Sequence, residues 1–240
     1  MKAMVLAAGL GTRLRPLTND RPKALVEVAN RTLLQITLAR LKEFGIRDVI
    51  VNVHHFADMV VDYLKAYDDF GMHIEVSREE ALLDTGGGLK KAGWFFSGDS
   101  EPFLLHNVDV ISNIDLRAML QYHNETLGLA TLAVKARPTS RYLLFDERMQ
   151  LCGRRLVREQ KVEGVQGVKP AHELAFAGLH VISPELLPML SGEGAFSIID
   201  SYLDLAARGQ RVVGFRADNY AWRDLGTVES LNKANAEAQG

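Results

Sequence analysis

The sequence predicts an α/β protein of three layers, an α/β/α arrangement in which helices cover both faces of a mostly parallel central sheet. Three observations carry that expectation. Apolar runs rich in valine, isoleucine and leucine recur along the chain. Several are separated by segments of helical periodicity. The runs are continuous rather than alternating, as strands buried on both faces must be. With 240 residues, 47% of them hydrophobic, the chain can bury one sizeable core.

Strands are expected at "AMVLAA", "DVIVNV", "MHIEV", "PFLLHNVDV" and "LATLAV". Between the first two, "TLLQITLARLKEFG" sets Leu34, Leu38 and Leu41 on one helical face and stops at Gly45, which suits the left-handed turn after a helix. "FADMVVDYLKAYDDFG" repeats the plan and closes at Gly71. "DTGGGLKKA" opens a helix at Asp84, with Thr85 as its expected N-cap. After about Arg137 the pattern loosens into "RYLLFDE" and "LCGRRLV", which read as short antiparallel strands, before "ELAFAGLHVIS" returns to a core-like strand. No linker of Pro, Gly or Ser divides the two parts, so residues 1–240 are read as one domain with a main part over 1–136 and a smaller mixed part over 137–240.

The charge balance excludes some partners. A formal net charge of -2 argues against a long nucleic-acid backbone as the main partner. The single cysteine, Cys152, forms no internal disulfide and supplies no thiolate cluster. The opening "MKAMVLAAG" is too short to span a membrane and leads into charged sequence, so it reads as a buried strand and the chain as cytoplasmic, without a membrane partner.

The chemistry begins after that strand. Gly9 and Gly11 bring backbone N–H groups within reach of an anion, in the loop where open parallel sheets bind phosphates. A dinucleotide fingerprint would need glycine at position 14, which is Leu14, and a Walker loop would need Gly-Lys-Ser/Thr, which is absent. An NAD-dependent oxidoreductase fails on the same missing glycine. Lys2, Arg13, Arg15, Arg21 and Lys23 stand against Asp20, a local charge of +4 in a chain of -2. One charge pair at 4 Å in a partly shielded site is worth ~4 kcal/mol, so several cations and a metal suit a polyphosphate better than a single carboxylate.

Farther along, "PFLLHNVDV" delivers polar residues at its carboxyl end, where alternation puts Asn107 and Asp109 on one face and His106 on the other. His54 and His55 follow a strand but diverge, and neither is given a role. No nucleophile with a base partner stands out.

"GLGTRLRPLTNDRPKAL" closely resembles the signature of the sugar-1-phosphate nucleotidyltransferases, and the resemblance continues through "TGGGLKKA", "NVD", "FAGLHV" and "WRDLGT". It implies a Rossmann-like nucleotidyltransferase fold, with nucleotide binding in 1–136 and the sugar site and second metal ligand in 137–240. By that resemblance Leu6, Ala8 and Gly9 through Gly11 to Thr12 wrap the nucleotide, Arg13 grips the β and γ phosphates, and Lys23 reaches the α-phosphate. Thr85, Gly86 and Gly87 would meet the base, with Asn107 also on the nucleotide. Asp109 and Asp224 would hold Mg2+, for which two carboxylates and phosphate oxygens are suitable hard ligands. Lys169 would hold the sugar phosphate, with Phe176 and Gly178 lining the sugar pocket.

Two departures stand out: Val108 replaces the family's usual glycine, and Val168 its usual glutamate. The implied partners are a nucleoside triphosphate, UTP or GTP, and a sugar 1-phosphate. The resemblance is nearest to N-acetylmuramate 1-phosphate uridylyltransferases, then to mannose- or heptose-1-phosphate guanylyltransferases. The two departures also leave room for an inert nucleotide-sugar binding protein, and small enzymes of this kind are monomers or dimers, which admits a homodimer.

Overall fold

In a computed structural model, which describes residues 1–165 and 167–238, the apolar runs form the strands expected of them. Residues 239 and 240 of the expected domain lie outside the described residues. The chain runs through β1 (Ala3–Leu6), a small hairpin of β2 (Glu27–Val28) and β3 (Arg31–Thr32), α1 (Leu33–Glu43), β4 (Asp48–Val53), α2 (Ala57–Ala66), β5 (His73–Arg78) and α3 (Asp84–Ala92). It continues with β6 (Phe103–Asn107), β7 (Val110–Ser112), α4 (Leu116–Glu125), β8 (Ala130–Lys135), β9 (Arg141–Phe145), β10 (Leu151–Leu156) and β11 (Lys161–Gly164). Last come β12 (His172–Ile182), α5 (Ile198–Ala207), β13 (Val212–Arg216), β14 (Trp222–Asp224) and α6 (Val228–Ala238).

Local chemistry explains the helix ends. Thr32 accepts from Gln35 N at 3.0 Å to start α1, and Gly45 at φ +80° lets the chain turn away after it. Asp115 accepts from Arg117 N and Ala118 N to start α4. The structure corrects two expectations. α2 stops at Ala66, and a separate tight turn over Asp68–Gly71 carries the chain to Gly71. Thr85 does not cap α3: the capping position is Leu83, and the Thr85 hydroxyl accepts from Ile198 N at 3.0 Å.

The large sheet has the order β11-β10-β9-β12-β6-β1-β4-β5, with β8 also paired to β12 and β13 to β8. Its half made of β6-β1-β4-β5 is parallel throughout. From β12 outward through β9, β10 and β11 the pairing is antiparallel, which is the mixed region expected after Arg137. One face is covered by apolar side chains of α1, α2, α4 and α6, among them Leu38, Leu64, Met119 and Leu231. The other is covered from α3 and α5, with Leu89, Tyr202 and Leu205. The three layers follow from that division.

Buried histidines make this core sensitive to acid. His123 is held between Thr131 Oγ1 at 2.9 Å and Ser183 Oγ at 3.0 Å, and His180 meets the Tyr202 hydroxyl at 2.9 Å. Burial pushes His123 down from 6.5 to about 4 and His180 to about 3. Below pH 6.5 the unfolded chain takes up protons that the native state refuses, so stability falls by about 1.4 kcal/mol per pH unit for each such histidine until its folded value is reached. Above pH 6.5 these groups add no slope. Thermal melts should therefore show a midpoint that drops between pH 6.5 and 5, and less steeply in His123→Gln; a wild-type midpoint that is flat over that window would contradict the assignment.

Candidate active site

Three parallel strands end side by side beneath a cleft. Leu6 is in register with Asn52 on one side and Asn107 on the other, so two polar side chains flank the residue from which the glycine loop departs. This is the carboxyl edge where open α/β sheets bind ligands. The cleft above it measures about 540 Å³ and is lined by Leu6, Ala8, Gly9, Arg13, Lys23, Asn52, Leu82, Asp84, Thr85, Asn107, Asp109 and Ala195.

The first loop is shaped by Gly11. Its φ is +64°, and a β-carbon there would lie 2.9 Å from Thr18 Cγ2. Its carbonyl accepts from Thr18 Oγ1 at 2.9 Å and from Leu14 N at 2.8 Å. The chain thereby enters a single 3-10 turn, Thr12–Leu14, which buries Leu14 as an anchor while Arg13 reaches the cleft. Gly9 lines the cleft and has open space where a side chain would be, whereas Gly11 and Thr12 form the outer part of the loop and do not line it.

Asp109 lies two residues past β6, and a small antiparallel ladder brings Asp224 to it. β14 pairs with β7, setting Asp224 opposite Val110, and Leu225 N donates to Asp109 O at 2.8 Å. The segment entering β14 is clamped from β8: the Lys135 ammonium donates to the carbonyls of Ala217, Asp218 and Tyr220. The convergence is sharpest at Gly226. The point where its missing β-carbon would sit lies 2.6 Å from Asp224 Oδ1, 2.8 Å from Arg13 Nη2 and 3.1 Å from Asp109 Oδ2. Lys23 Nζ forms an ion pair with Asp109 Oδ2. Two carboxylates and a guanidinium, from three separate segments, thus meet at one point, with an ammonium resting on one of the carboxylates.

That cradle fits a divalent cation. Both carboxylate oxygens come within 3.1 Å of one point beside Gly226, where the absence of a side chain leaves them room, and a cationic side chain already rests on Asp109. Among the described residues no cluster of three or more His, Cys, Asp or Glu side chains gathers. One or two carboxylates supplemented by phosphate oxygens and waters is the usual set for magnesium.

The Val108 departure has a structural answer. Its side chain is buried in the core cluster with Leu104 and Val110, and its N–H donates to Leu6 O at 3.2 Å. The valine thus points into the protein.

The glycines of α3 answer to packing. A β-carbon on Gly86 would lie 2.4 Å from the Phe196 ring, one on Gly87 2.3 Å from Gly194 O, and one on Gly88 2.7 Å from Glu79 Oε1. The N–H groups of Gly86 and Gly87 donate to Phe196 O. Neither glycine lines the cleft, and the N–H groups expected to meet a base are already engaged; Thr85 and Asp84 line that end instead.

A buried network at this edge is not evident from the sequence motifs. Asn52 accepts from Ala7 N at 2.8 Å and donates to Glu79 Oε1 at 2.7 Å, and Glu79 Oε2 accepts from Leu83 N at 2.9 Å. It ties the glycine loop to the start of α3. The signal was a lone polar residue at position 52, inside the apolar run "DVIVNV". Asn107 keeps a buried Oδ1 without a hydrogen-bond partner among the described residues, an acceptor open to a ligand donor.

The residues expected around the sugar separate. Gly178, at φ +78°, lets β12 pass close to β6 and β7: a β-carbon there would lie 2.6 Å from Val110 Cγ2 and 3.2 Å from Asn107 Nδ2. Phe176 is half-buried with its ring 4.6 Å from that of His180. Lys169 is not brought to the Asp109 cleft. It is exposed and lines a different depression with Asp146, Glu147, Arg148, Pro170 and Ala171, which shares no residue with the first.

Among the described residues, no helix is long and apolar enough to cross a membrane. An N-acetylmuramate alpha-1-phosphate uridylyltransferase of Caulobacter vibrioides is 36% identical, over 98% of this chain and 95% of that protein. A mannose-1-phosphate guanyltransferase of Yarrowia lipolytica is 28% identical over 99% of this chain and 67% of its own length. A solved structure of UDP-glucose pyrophosphorylase complexed with UDP-glucose shares the fold, with a TM-score of 0.78, 17% identity, and coverage of 99% of this chain and 98% of that one. The family model described as nucleotidyl transferase matches residues 2–240, a span that includes both aspartates, the glycine loop and the clamp on β14, and the chain belongs to that family.

Proposed function

We propose that the chain transfers a uridylyl group from UTP to N-acetylmuramate 1-phosphate, releasing pyrophosphate and forming a nucleotide sugar. The observation that carries the reaction class is the meeting of Asp109, Asp224 and Arg13 at Gly226, with Lys23 on Asp109. A phosphate oxygen of the sugar phosphate attacks the α-phosphorus. The bond from that phosphorus to the bridging oxygen of the β-phosphate breaks, and its electron pair leaves with pyrophosphate. The attacking oxygen is already anionic at neutral pH, so no proton has to be removed and no general base is required.

The protein's contribution is alignment and charge. Arg13 presents a planar fork to the leaving phosphates, and Lys23, placed inside the cleft, supplies a point charge to the α-phosphate. Mg2+ held by Asp109 and Asp224, when bound, would neutralise phosphate charge. The nucleotide lies along Leu6, Ala8 and Gly9, with its base toward Thr85 and Asn107. The backbone of Gly11 and Thr12 supports this loop from outside.

Support for uridylyl transfer to this sugar comes from the Caulobacter relative, which is matched along nearly its whole length. The guanyltransferase is matched over only part of its length, so GTP with mannose 1-phosphate is the second reading. The inert-binder reading loses its argument from Val108, whose side chain is turned into the core. Pyrophosphate release measured over UTP, GTP, dTTP and ATP, each with N-acetylmuramate, mannose and glucose 1-phosphates, should give the highest kcat/KM for UTP with N-acetylmuramate 1-phosphate. Exclusive use of GTP would refute it, and nucleotide binding without any turnover would restore the inert binder.

A further inference from the structure

Beside the cleft, the Arg137 guanidinium is held by carbonyls and an aromatic ring rather than by a carboxylate. Arg137 lies two residues past β8. Its guanidinium is stacked 4.2 Å from the ring centre of Trp222, donates from Nη2 to Phe176 O at 2.8 Å, and makes a longer contact of 3.3 Å from Nη1 to Pro138 O. Nε is buried with no partner, and among the described residues Arg137 forms no salt bridge. A guanidinium has five N–H donors, so each terminal nitrogen keeps one uncommitted. Burial lowers its pKa, opposed by the nearby charge of Asp224.

Holding a half-buried cation in place without a paired carboxylate is costly, and stacking on an aromatic ring offsets only part of that cost. Its uncommitted N–H groups leave it donors for an anionic ligand. Its location says which one. Trp222 begins the three-residue strand that ends in Asp224, and its indole N–H donates to Ala177 O at 2.7 Å, between Phe176 and Gly178. Arg137 is therefore built into the wall formed by β12 and β14, beside the second carboxylate of the cradle.

We propose that Arg137 receives the 1-phosphate of the sugar substrate, the task that family resemblance gives to Lys169. The inference rests on the nucleotidyl-transfer reading above. A guanidinium fork suits a phosphate with two oxygens exposed to it. The 1-phosphate, rather than another acidic group on the sugar, is the part that must come next to Asp224, because its oxygen attacks the α-phosphorus.

The test is initial-rate kinetics of wild type, Arg137→Ala, Arg137→Lys and Lys169→Ala, with the sugar phosphate and the nucleotide varied separately. A wild-type protein that turns over no sugar 1-phosphate defeats the transfer reading before Arg137 is altered. Given an active wild type, Arg137→Ala should raise the KM for sugar 1-phosphate by roughly 10- to 100-fold, with the KM for nucleotide within about twofold. Guanidinium ion should restore part of the loss. Arg137→Lys keeps a cation over Trp222 and covers the case in which the alanine variant does not fold; it should lose less, and in the same parameter. Lys169→Ala should stay within about twofold of wild type. The proposal is overturned if Lys169→Ala carries the KM effect, if Arg137 variants change only the nucleotide KM, or if they weaken inhibition by the dephosphorylated sugar as much as they weaken the sugar phosphate.

Discussion

Asp109→Asn is expected to lower turnover by roughly 1,000-fold while leaving the protein folded, because it removes one of two carboxylate charges in the cradle and changes little else. The backbone at this position is fixed independently of the side chain: Asp109 O accepts from Leu225 N, and the preceding residue is pinned to Leu6. Lys23, whose side chain is 14% exposed, loses its carboxylate partner but lines the cleft and still faces the neutral amide, so the cost in stability is smaller than for a charge stranded in a closed core. Magnesium-dependent pyrophosphate release measures the first effect and a thermal melt the second. Activity within tenfold of wild type would remove Asp109 from the catalytic machinery. A large drop in melting temperature would show that its role is structural.

The parts of this site that were legible in the sequence are those written in short stretches. The strands could be read because a strand buried on both faces has to be apolar without interruption. The phosphate loop could be read because two glycines and clustered cations fall within a few residues of a strand end. What could not be read depends on contacts between distant segments. The three glycines of α3 look like ligand-binding glycines until Phe196 and Gly194 are seen against two of them, and that partner loop is more than a hundred residues away in sequence.

Lys169 follows the same rule in reverse. Its neighbourhood resembles a motif, but the chain between β11 and β12 carries it to another depression, while Arg137, outside every quoted motif, is set against Trp222. The Val108 departure was ambiguous for a related reason: whether a side chain in place of glycine blocks a ligand depends on where its β-carbon points, which the sequence does not specify.

Gly226→Ala is the sharpest test of the convergence itself. Its φ lies outside the left-handed region, so alanine is conformationally admissible. The added carbon would fall 2.6 Å from Asp224 Oδ1, 2.8 Å from Arg13 Nη2 and 3.1 Å from Asp109 Oδ2, closer in the first two cases than real contacts allow. All three atoms end side chains, two of them, Arg13 and Asp109, at the cleft and the third, Asp224, only partly buried, so they move aside at a cost to stability of about 1 kcal/mol or less, below the usual penalty for overpacking a closed core. They cannot move and keep their geometry. Asp224 is also held by Gly226 N, which donates to its Oδ1 at 2.6 Å, so the new methyl group pushes against an oxygen that its own backbone retains. Turnover should fall by roughly 100-fold, with a raised magnesium requirement and a near-normal melting temperature, since displacements of about 1 Å at positioning groups carry losses of that order. Wild-type rates at wild-type magnesium concentrations would mean that the carboxylates and Arg13 do not act together at this point.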